Sequence, residues 1–291
     1  MDLITAYNAA TATTMEMGKA VSTSATVVAI DRKFELGKYT VLSTEYSAAY
    51  KWAVENGYKM GEGTCNESGK YPVVGVSWFD AVLFCNSLSE LERLDPCYRD
   101  AHGEVFREAV SSVVRNKTTW TWPVCDWTAN GYRLPTEAEW EFAARNGGLV
   151  DGDKLSGCRY ANVPCYDEAC PYCTEKWEII SEGVTGPEGE VSAPVYGRVK
   201  ALAEVGLREP NALGIYDQLG NVLEWVYDAW RETPVDKAWD KADLSNVYRV
   251  VKGAAYGVSD CDMKLGSRQA CNAEFRMPHL GFRVGRTLGS K

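Results

Sequence analysis

Four short stretches of the chain have the hydrophobic pattern of β-strands. Residues 34–41, Phe-Glu-Leu-Gly-Lys-Tyr-Thr-Val, alternate between apolar and polar positions in a way that favours a half-buried strand. Shorter strands are predicted around residues 223–227, 248–252 and 281–286, where β-branched and aromatic residues concentrate. The sequence therefore predicts a fold that uses short strands.

A helix is predicted directly after the first strand. Tyr46, Tyr50 and Ala53 follow one another at i, i+4 and i+7, so they share one face of a helix. Ser43 or Thr44 stands where a side-chain oxygen caps the first turn. The pattern indicates an amphipathic helix that packs this face against the core.

Two further helices are indicated by their N-terminal capping signals. Ser77 with Asp80 three residues later predicts a helix start, and the apolar pattern continues to about Leu91. Thr136 and Glu139 form a capping box at the start of a third helix, which a pair of glycines ends near residue 147. No internal repeat accompanies these three helices.

The middle of the chain has no regular pattern. Residues 146–210 contain many glycines, prolines, cysteines and charged residues with little periodicity, which predicts long loops. Loops of that length within a compact domain are usually functional or cross-linked.

Charge and hydrophobicity argue against nucleic-acid binding and against a membrane-spanning segment. The 291 residues carry 40 acidic and 31 basic side chains, a net charge of −9, with no block of five or more like charges. We therefore expect no nucleic-acid partner, because phosphate binding depends on clustered Lys and Arg. The longest apolar runs, such as residues 26–30, are far shorter than the roughly 20 residues of a membrane helix, so no membrane span is expected.

The cellular compartment stays open at this point. The first residues, Met-Asp-Leu-Ile, lack the basic region and apolar stretch of a secretory signal. We expect either a cytoplasmic protein or an exported one whose signal has been removed. Ten cysteines are many for a cytosolic protein and too few for a small disulfide scaffold.

Several motifs together resemble the formylglycine-generating-enzyme (sulfatase-modifying-factor) family. The matching stretches come in the family's order at residues 34–46, 72–81, 85–90 with 96–98, 131–145, 211–225 and 281–283. The resemblance implies an α+β, C-type-lectin-like fold with few helices, short antiparallel strands and much irregular structure. It also implies that residues 1–291 form a single domain. A fold alone does not fix a function.

The positions of the family's catalytic cysteines decide against an enzyme. The family uses two cysteines, four residues apart, just after a Gly-Gly-Ser-(Trp or Tyr) segment, and soft thiolates of this kind suit Cu(I). Here the segment is Gly-Ala-Ala-Tyr at residues 253–256, and an ungapped alignment places Val258 and Met263 at the cysteine positions. Cys261 and Cys271 are nearby but ten positions apart. We predict a noncatalytic protein; the alternative is a copper-dependent oxidase or another iron or copper oxidoreductase of the family.

Residues 254–280 have an unusual composition between two regular flanks. Framework-like residues 248–252 and 280–284 enclose a mixture of small, acidic, cysteine and aromatic residues. The arrangement resembles the variable proteins of diversity-generating retroelements of the TvpA kind, which have this fold and a C-terminal variable segment ending in Gly-Phe-Arg. The resemblance implies a receptor-like or adhesin-like lipoprotein, anchored at the cell surface in the outer membrane. A diverged pseudoenzyme with a passively packed segment is the alternative.

The side chains that contact a ligand are then expected within residues 254–280. Tyr256 and Phe275 supply rigid aromatic contact area at low entropic cost, and polar neighbours supply hydrogen bonds. The predicted ligand-binding residues are Ala255, Tyr256, Val258, Ser259, Cys261, Asp262, Ala270, Cys271, Ala273, Phe275 and His279. The ligand is expected to be a protein or another macromolecule, and binding requires no cofactor.

A calcium site is implied by the resemblance at residues 217–224, Asp-Gln-Leu-Gly-Asn-Val-Leu-Glu. By position, Asp217 and Glu224 would supply side-chain oxygens, and Gly220 and Val222 would supply carbonyl oxygens. Oxygen-only ligands suit a hard cation. The alternative is a metal-free loop in which Glu224 accepts hydrogen bonds from backbone amides.

Four cysteines cluster in the long central loop, at Cys158, Cys165, Cys170 and Cys173. Zinc sites usually combine two Cys-x-x-Cys pairs, and only the last two of these residues form one. Disulfides, a structural zinc ion and free buried thiols therefore all stay open.

Overall fold

The computed structural model describes residues 1–7, 13–17, 26–66, 69–114, 117–145, 147, 178–180, 183–185, 191–192, 202–207, 210–232, 246–256 and 265–289. Within them the helices are α1 (Ser43–Glu55), α2 (Trp78–Leu91) and α3 (Glu137–Ala144). The strands are β1 (Leu3–Tyr7), β2 (Thr13–Met17), β3 (Thr26–Ile30), β4 (Phe34–Gly37), β5 (Tyr98–Arg99), β6 (Ser111–Val114), β7 (Lys117–Trp120), β8 (Val124–Cys125), β9 (Tyr132–Arg133), β10 (Glu178–Ile180), β11 (Gly183–Thr185), β12 (Val191–Ser192), β13 (Leu223–Ala229), β14 (Tyr248–Lys252), β15 (Arg268–Asn272), β16 (Leu280–Phe282) and β17 (Gly285–Thr287). Few helices and short strands confirm the predicted α+β class.

The second and third helices begin where their capping signals predict. In α2 the Ser77 hydroxyl accepts the N–H of Asp80 at 3.1 Å, and in α3 the Thr136 hydroxyl accepts the N–H of Glu139 at 3.1 Å. Each carboxylate bonds back to the N–H of its capping residue, which completes a capping box. In the described part of the chain, no helix is long and apolar enough to cross a membrane.

The predicted cap of the first helix is wrong. The N-cap residue of α1 is Leu42, and the Glu45 carboxylate accepts its N–H at 3.0 Å. The Ser43 hydroxyl instead donates to the carbonyl oxygens of Tyr71 and Pro72, so it ties the helix to a neighbouring loop. The Ser43 hydroxyl thus bonds to two carbonyl groups distant in sequence and does not cap the helix.

The two largest sheets of the described residues have four strands each, and the two-stranded pairs β2-β3, β5-β8 and β6-β7 accompany them. One four-stranded sheet has the order β1-β4-β17-β9 and the other the order β15-β14-β13-β16. The predicted antiparallel arrangement holds in both sheets except between β13 and β16. These two strands run parallel, with Leu223 opposite Leu280 and Trp225 opposite Phe282.

The single strand predicted over residues 281–286 is two strands in different sheets. β16 pairs with β13, whereas β17 pairs with β4 and β9. Between them the side chain of Arg283 is completely buried. The chain therefore passes from one sheet to the other at a buried arginine.

The central region predicted as loops also contains strand structure. β10, β11 and β12 form an antiparallel three-stranded sheet within residues 146–210. Its strands are only two or three residues long. Strands this short give too few alternating positions for a sequence pattern to reveal them.

Reciprocal tryptophan contacts join α2 to the second sheet. The indole N–H of Trp78 donates to the Val226 carbonyl at 2.9 Å, and that of Trp225 donates to the Val76 carbonyl at 3.0 Å. Both indoles are completely buried. Because each polar atom has a partner, the rings contribute their full apolar area to the core.

Candidate functional site

A buried ion-pair cluster holds the strand that leads into residues 254–280. Lys252, the last residue of β14, donates to Glu141 at 2.8 Å and lies 3.7 Å from Glu137. Glu141 also accepts from Arg145 at 2.7 Å. Burial by itself raises the pKa of Glu141, but Lys252 and Arg145 outweigh it and leave the pKa lowered. The charged carboxylate therefore attaches β14 to α3.

A second buried ion pair holds the strand that follows the segment. Arg283 donates from Nε and Nη2 to the two carboxylate oxygens of Glu224, each at 2.7 Å. The indole N–H of Trp140 donates to the same carboxylate at 2.7 Å, and Arg283 also reaches the Gly37 carbonyl at 2.9 Å. The bidentate geometry fixes the orientation of Arg283. The chain is thus anchored in the core just beyond residue 280.

A third buried cation, Arg249 in β14, contacts two aromatic rings. The Arg249 guanidinium lies 4.4 Å from the ring centre of Trp78 and 4.3 Å from that of Trp122. Arg249 is completely buried. The two indoles are inclined to each other by 61°, so the guanidinium makes a cation–π contact with each ring without being sandwiched between them.

The turn after β14 requires glycine. Gly253 has φ of +79°, and a Cβ at this position would lie 3.0 Å from the Gln218 carbonyl oxygen. Ala255 is then buried, and the N–H of Tyr256 donates to the Asn221 carbonyl at 2.9 Å. The loop at residues 217–224 therefore positions the first residues of the segment.

The structure brings two of the predicted ligand-binding side chains together. The rings of Tyr256 and His279 are perpendicular, with centroids 6.3 Å apart, and both are half-buried. The Tyr256 hydroxyl donates to the Pro278 carbonyl at 3.4 Å. Phe275 lies on the turn that precedes His279 and is 56% exposed.

The other predicted ligand-binding residues divide into exposed, buried and undescribed positions. Ala270 on β15 is exposed, whereas Ala255, Cys271 and Ala273 are buried, so these three pack against the scaffold. Burial raises the pKa of the Cys271 thiol to about 11, so the thiol is protonated at neutral pH. Val258, Ser259, Cys261 and Asp262 lie outside the described residues, as does Met263.

The residues that fix the turn carrying Phe275 were not predicted from the sequence. Glu274 accepts from the indole N–H of Trp120 at 2.5 Å, and Arg276 donates to Asp80 at 2.8 Å. The partners are 154 and 196 residues apart, so no local pattern connects them. Of these residues, only Asp80 was identified from the sequence, and it was identified as a capping residue of α2 and not as a partner of Arg276.

The 217–224 loop, where a calcium site was predicted, is built around the Glu224–Arg283 ion pair. Arg283 already balances the charge of Glu224, and Asp217 accepts the Gly206 N–H at 2.7 Å. Gly220 accepts the N–H of Val222 at 2.9 Å. A cation gains little from a carboxylate that a bidentate guanidinium neutralises, so this donor set fits calcium poorly. The geometry favours the metal-free alternative, with indole and guanidinium donors in place of the expected backbone amides.

The cysteine cluster at Cys158, Cys165, Cys170 and Cys173 lies outside the described residues. Free thiols within the described part are Cys65, Cys85, Cys97, Cys125 and Cys271. In that part, no group of His, Cys, Asp or Glu side chains has the geometry of a metal site. Zinc, disulfides and free thiols in the central loop stay predictions.

Comparison with known families agrees with the predicted resemblance. The sequence model of the Sulfatase-modifying factor enzyme 1-like domain matches residues 9–288. The formylglycine-generating enzyme of Thermomonospora curvata is 31% identical over 174 residues, which are 57% of this chain and 52% of that enzyme. The chain thus spans about half the length of that relative.

Two further relatives match most of the chain. The chaperone protein LppX of Paenibacillus barcinonensis is 29% identical over 259 residues, covering 87% of this chain and 80% of that protein. The solved structure of Treponema denticola variable protein 1 superposes with a TM-score of 0.64 and 26% identity, covering 96% of this chain and 93% of that one. Proteins of this fold therefore carry names with quite different functions.

Proposed function

The chain belongs to the family of Sulfatase-modifying factor enzyme 1-like domains, and we propose that it is a noncatalytic member that binds a macromolecular ligand through residues 254–280. The similarity to Treponema denticola variable protein 1 supports a variable binding surface. The similarity to a chaperone and to a formylglycine-generating enzyme means that membership alone does not choose the function.

One structural observation carries this proposal: one exposed and one half-exposed aromatic side chain lie in a segment whose two ends are rigidly held. Lys252 and Arg283 anchor these ends through completely buried ion pairs. Between them, Phe275 is exposed and Tyr256 is half-exposed. A rigid aromatic side chain loses little entropy on binding, so this arrangement suits ligand contact.

The chemistry of residues 258 and 263 supports the absence of catalysis. Val258 has no donor atom, and the thioether of Met263 cannot become a thiolate. A cysteine pair is the ligand set that copper-dependent oxidation in the family requires, because Cu(I) prefers soft thiolates. The nearest described cysteine, Cys271, has a buried and protonated thiol.

We further propose that residues 254–280 are diversified and that the protein acts at the cell surface through a lipid anchor. Sequencing of the gene from several isolates of the source tests the diversification. We expect substitutions to concentrate in residues 254–280, whereas residues 131–145, which contain β9 and α3, stay constant. Substitutions spread evenly along the chain would contradict diversified binding.

A display library tests whether the surface can bind. The whole chain, diversified at Tyr256, Ala270, Phe275 and His279, would be displayed on yeast and selected against a purified test protein such as lysozyme. We expect binders with dissociation constants of micromolar or better that keep the melting temperature of the parent. Selection that yields only unstable variants, or none, would contradict a binding surface at these positions.

In a selected binder, alanine at positions 256 and 275 should weaken binding at least about tenfold, since buried aromatic contacts dominate protein interfaces. The melting temperature should stay within about 2 °C of the parent. Tyr248→Ala is the matched control, because Tyr248 is a similarly exposed aromatic residue outside the segment. Equal loss of affinity in this control would place the binding surface elsewhere.

The oxidase alternative has its own test. The protein would be loaded with Cu(I) and incubated in air with a cysteine-containing sulfatase peptide, followed by mass spectrometry for conversion of the cysteine to formylglycine. We expect an unmodified cysteine. Conversion above that of a metal-free control would overturn the noncatalytic assignment.

A further inference from the structure

Backbone hydrogen bonds anchor both ends of the turn from Ala273 to Met277. The Ala273 carbonyl accepts the N–H of Trp78 at 3.0 Å, and the Met277 carbonyl accepts the N–H of Gly75 at 3.0 Å. Both donors belong to the chain around the start of α2, which is in the core. The turn is therefore attached to the scaffold at its first and last residues.

Side-chain contacts hold the two residues on either side of Phe275. The Glu274 carboxylate accepts from the indole N–H of Trp120 at 2.5 Å. Arg276 donates from Nε and Nη2 to the two oxygens of Asp80 at 2.8 and 3.1 Å. Such charge-assisted bonds are stronger than neutral ones, and two parallel bonds fix direction as well as distance.

Asp80 is itself fixed, so it is a rigid partner for Arg276. It is buried within the first turn of α2. Its carboxylate accepts the N–H of Gly61 at 2.7 Å and both the N–H and the hydroxyl of Ser77, at 2.8 and 2.7 Å. A helix start, a loop and the turn thus meet at one carboxylate.

Phe275 differs from both of its neighbours. Its ring is 56% exposed, and its own N–H donates to the Asn272 carbonyl at 2.9 Å. That bond uses only backbone atoms, so it does not depend on which side chain stands at position 275. The anchors of the turn are therefore separate from the residue that the turn presents.

We propose that Glu274 and Arg276 are positioning residues that bracket Phe275, and that residue 275 is a specificity-determining position that can be exchanged without altering the turn. The role in specificity rests on the proposed binding function, whereas the bracket is a property of the chain alone. Within residues 254–280, the buried Ala273 and the two bracketing residues would then belong to the constant framework.

Substitution of residue 275 in the intact chain is the first test. We expect Phe275→Ser, Phe275→Lys and Phe275→Tyr to keep melting temperatures within about 2 °C of the wild type. Hydrogen–deuterium exchange of the amides at Phe275 and Leu280, both donors within this region, should not change. Faster exchange in these variants would show that the turn depends on its side chain, and would overturn the proposal.

Removal of the bracket is the second test. Arg276→Ala and Glu274→Ala should each speed exchange of the turn amides by about tenfold or more, because the turn loses an anchor. Arg276→Lys should give an intermediate rate, since it keeps the charge but loses the bidentate geometry. Glu274→Gln keeps an acceptor for Trp120 but loses the charge, so its amides should exchange at a rate between those of the wild type and Glu274→Ala.

The matched control is Arg286→Ala, which removes an arginine that donates to the Asn130 carbonyl away from the turn. Wild-type exchange in Arg276→Ala, or equal acceleration in the control, would overturn the bracket. None of these measurements uses a ligand, so they separate failure of the bracket from failure of the binding function. The display library described above decides the latter independently.

Discussion

The ends of the 254–280 segment and its exposed turn have opposite physical designs. At the ends, Lys252 and Arg283 form completely buried ion pairs in which the charged atoms have defined partners. At the turn, Phe275 exposes more than half of its surface. The contrast teaches that the buried anchors and the exposed surface of this segment consist of different residues, so an exposed side chain can change without loss of an anchor.

The largest expected effect comes from a substitution that breaks the buried Glu224–Arg283 ion pair. Arg283→Met should lower the free energy of unfolding by about 3–5 kcal/mol, because it leaves the Glu224 carboxylate buried without its counter-charge. Urea denaturation followed by circular dichroism measures the change. Arg286→Met, three residues further along, is the control and should cost less than about 0.5 kcal/mol. Similar losses in both variants would contradict a special role for the buried pair.

A smaller effect is a dependence of the folding stability on pH, which we expect from the buried Asp228 beside α3. Burial and the neighbouring Glu137 carboxylate raise the pKa of Asp228 to about 7. Asp228 is buried and accepts the Glu137 N–H at 2.6 Å, at the start of α3. The folded state therefore retains a proton that the unfolded chain loses near pH 4.

From about pH 4 to about pH 7 this group makes stability fall as pH rises, by at most about 1.4 kcal/mol per pH unit. Above about pH 7 its contribution is constant. Asp228→Asn should remove this slope, so its stability relative to the wild type rises across the window. Denaturation of both proteins at pH 5, 6 and 7.5 gives the difference, and parallel pH profiles would contradict the raised pKa.

The smallest expected effect concerns the 217–224 loop. Because Arg283 already neutralises Glu224, added calcium or EDTA should move the melting temperature by less than about 1 °C. Differential scanning fluorimetry in calcium and in EDTA measures it. An ion bound at one hundred times its dissociation constant would add about 2.7 kcal/mol, which is readily seen. A clear loss of stability in EDTA would assign a metal to the framework.

Local signals in the sequence predicted the elements that depend on neighbouring residues. The capping pairs Ser77–Asp80 and Thr136–Glu139 span three residues, so the sequence contains both partners side by side. The cap of α1 was predicted wrongly because Ser43 bonds to carbonyl groups 28 and 29 residues away. Local reasoning fails where a distant partner competes.

The sequence predicted the candidate site as a segment, but it did not separate the buried residues of that segment from the exposed ones. The sequence placed Ala255, Cys271 and Ala273 among the ligand contacts beside Phe275, and the structure buries all three while it exposes Phe275. Small residues give no signal that separates a buried position from a surface position in an irregular segment. Their burial depends on α2, β14 and the 217–224 loop.

The sequence by itself determined the family, the starts of α2 and α3 and the absence of cysteine at positions 258 and 263, since motifs and residue types need no partner to be recognised. Only the tertiary structure decided which side chains are presented and what holds them. Glu224 and Arg283 are 59 residues apart, and Asp80 and Arg276 are 196 apart. Pairing over such separations depends on the folded path of the chain, because each charge is stabilised in the core by whichever partner the fold brings within bonding distance.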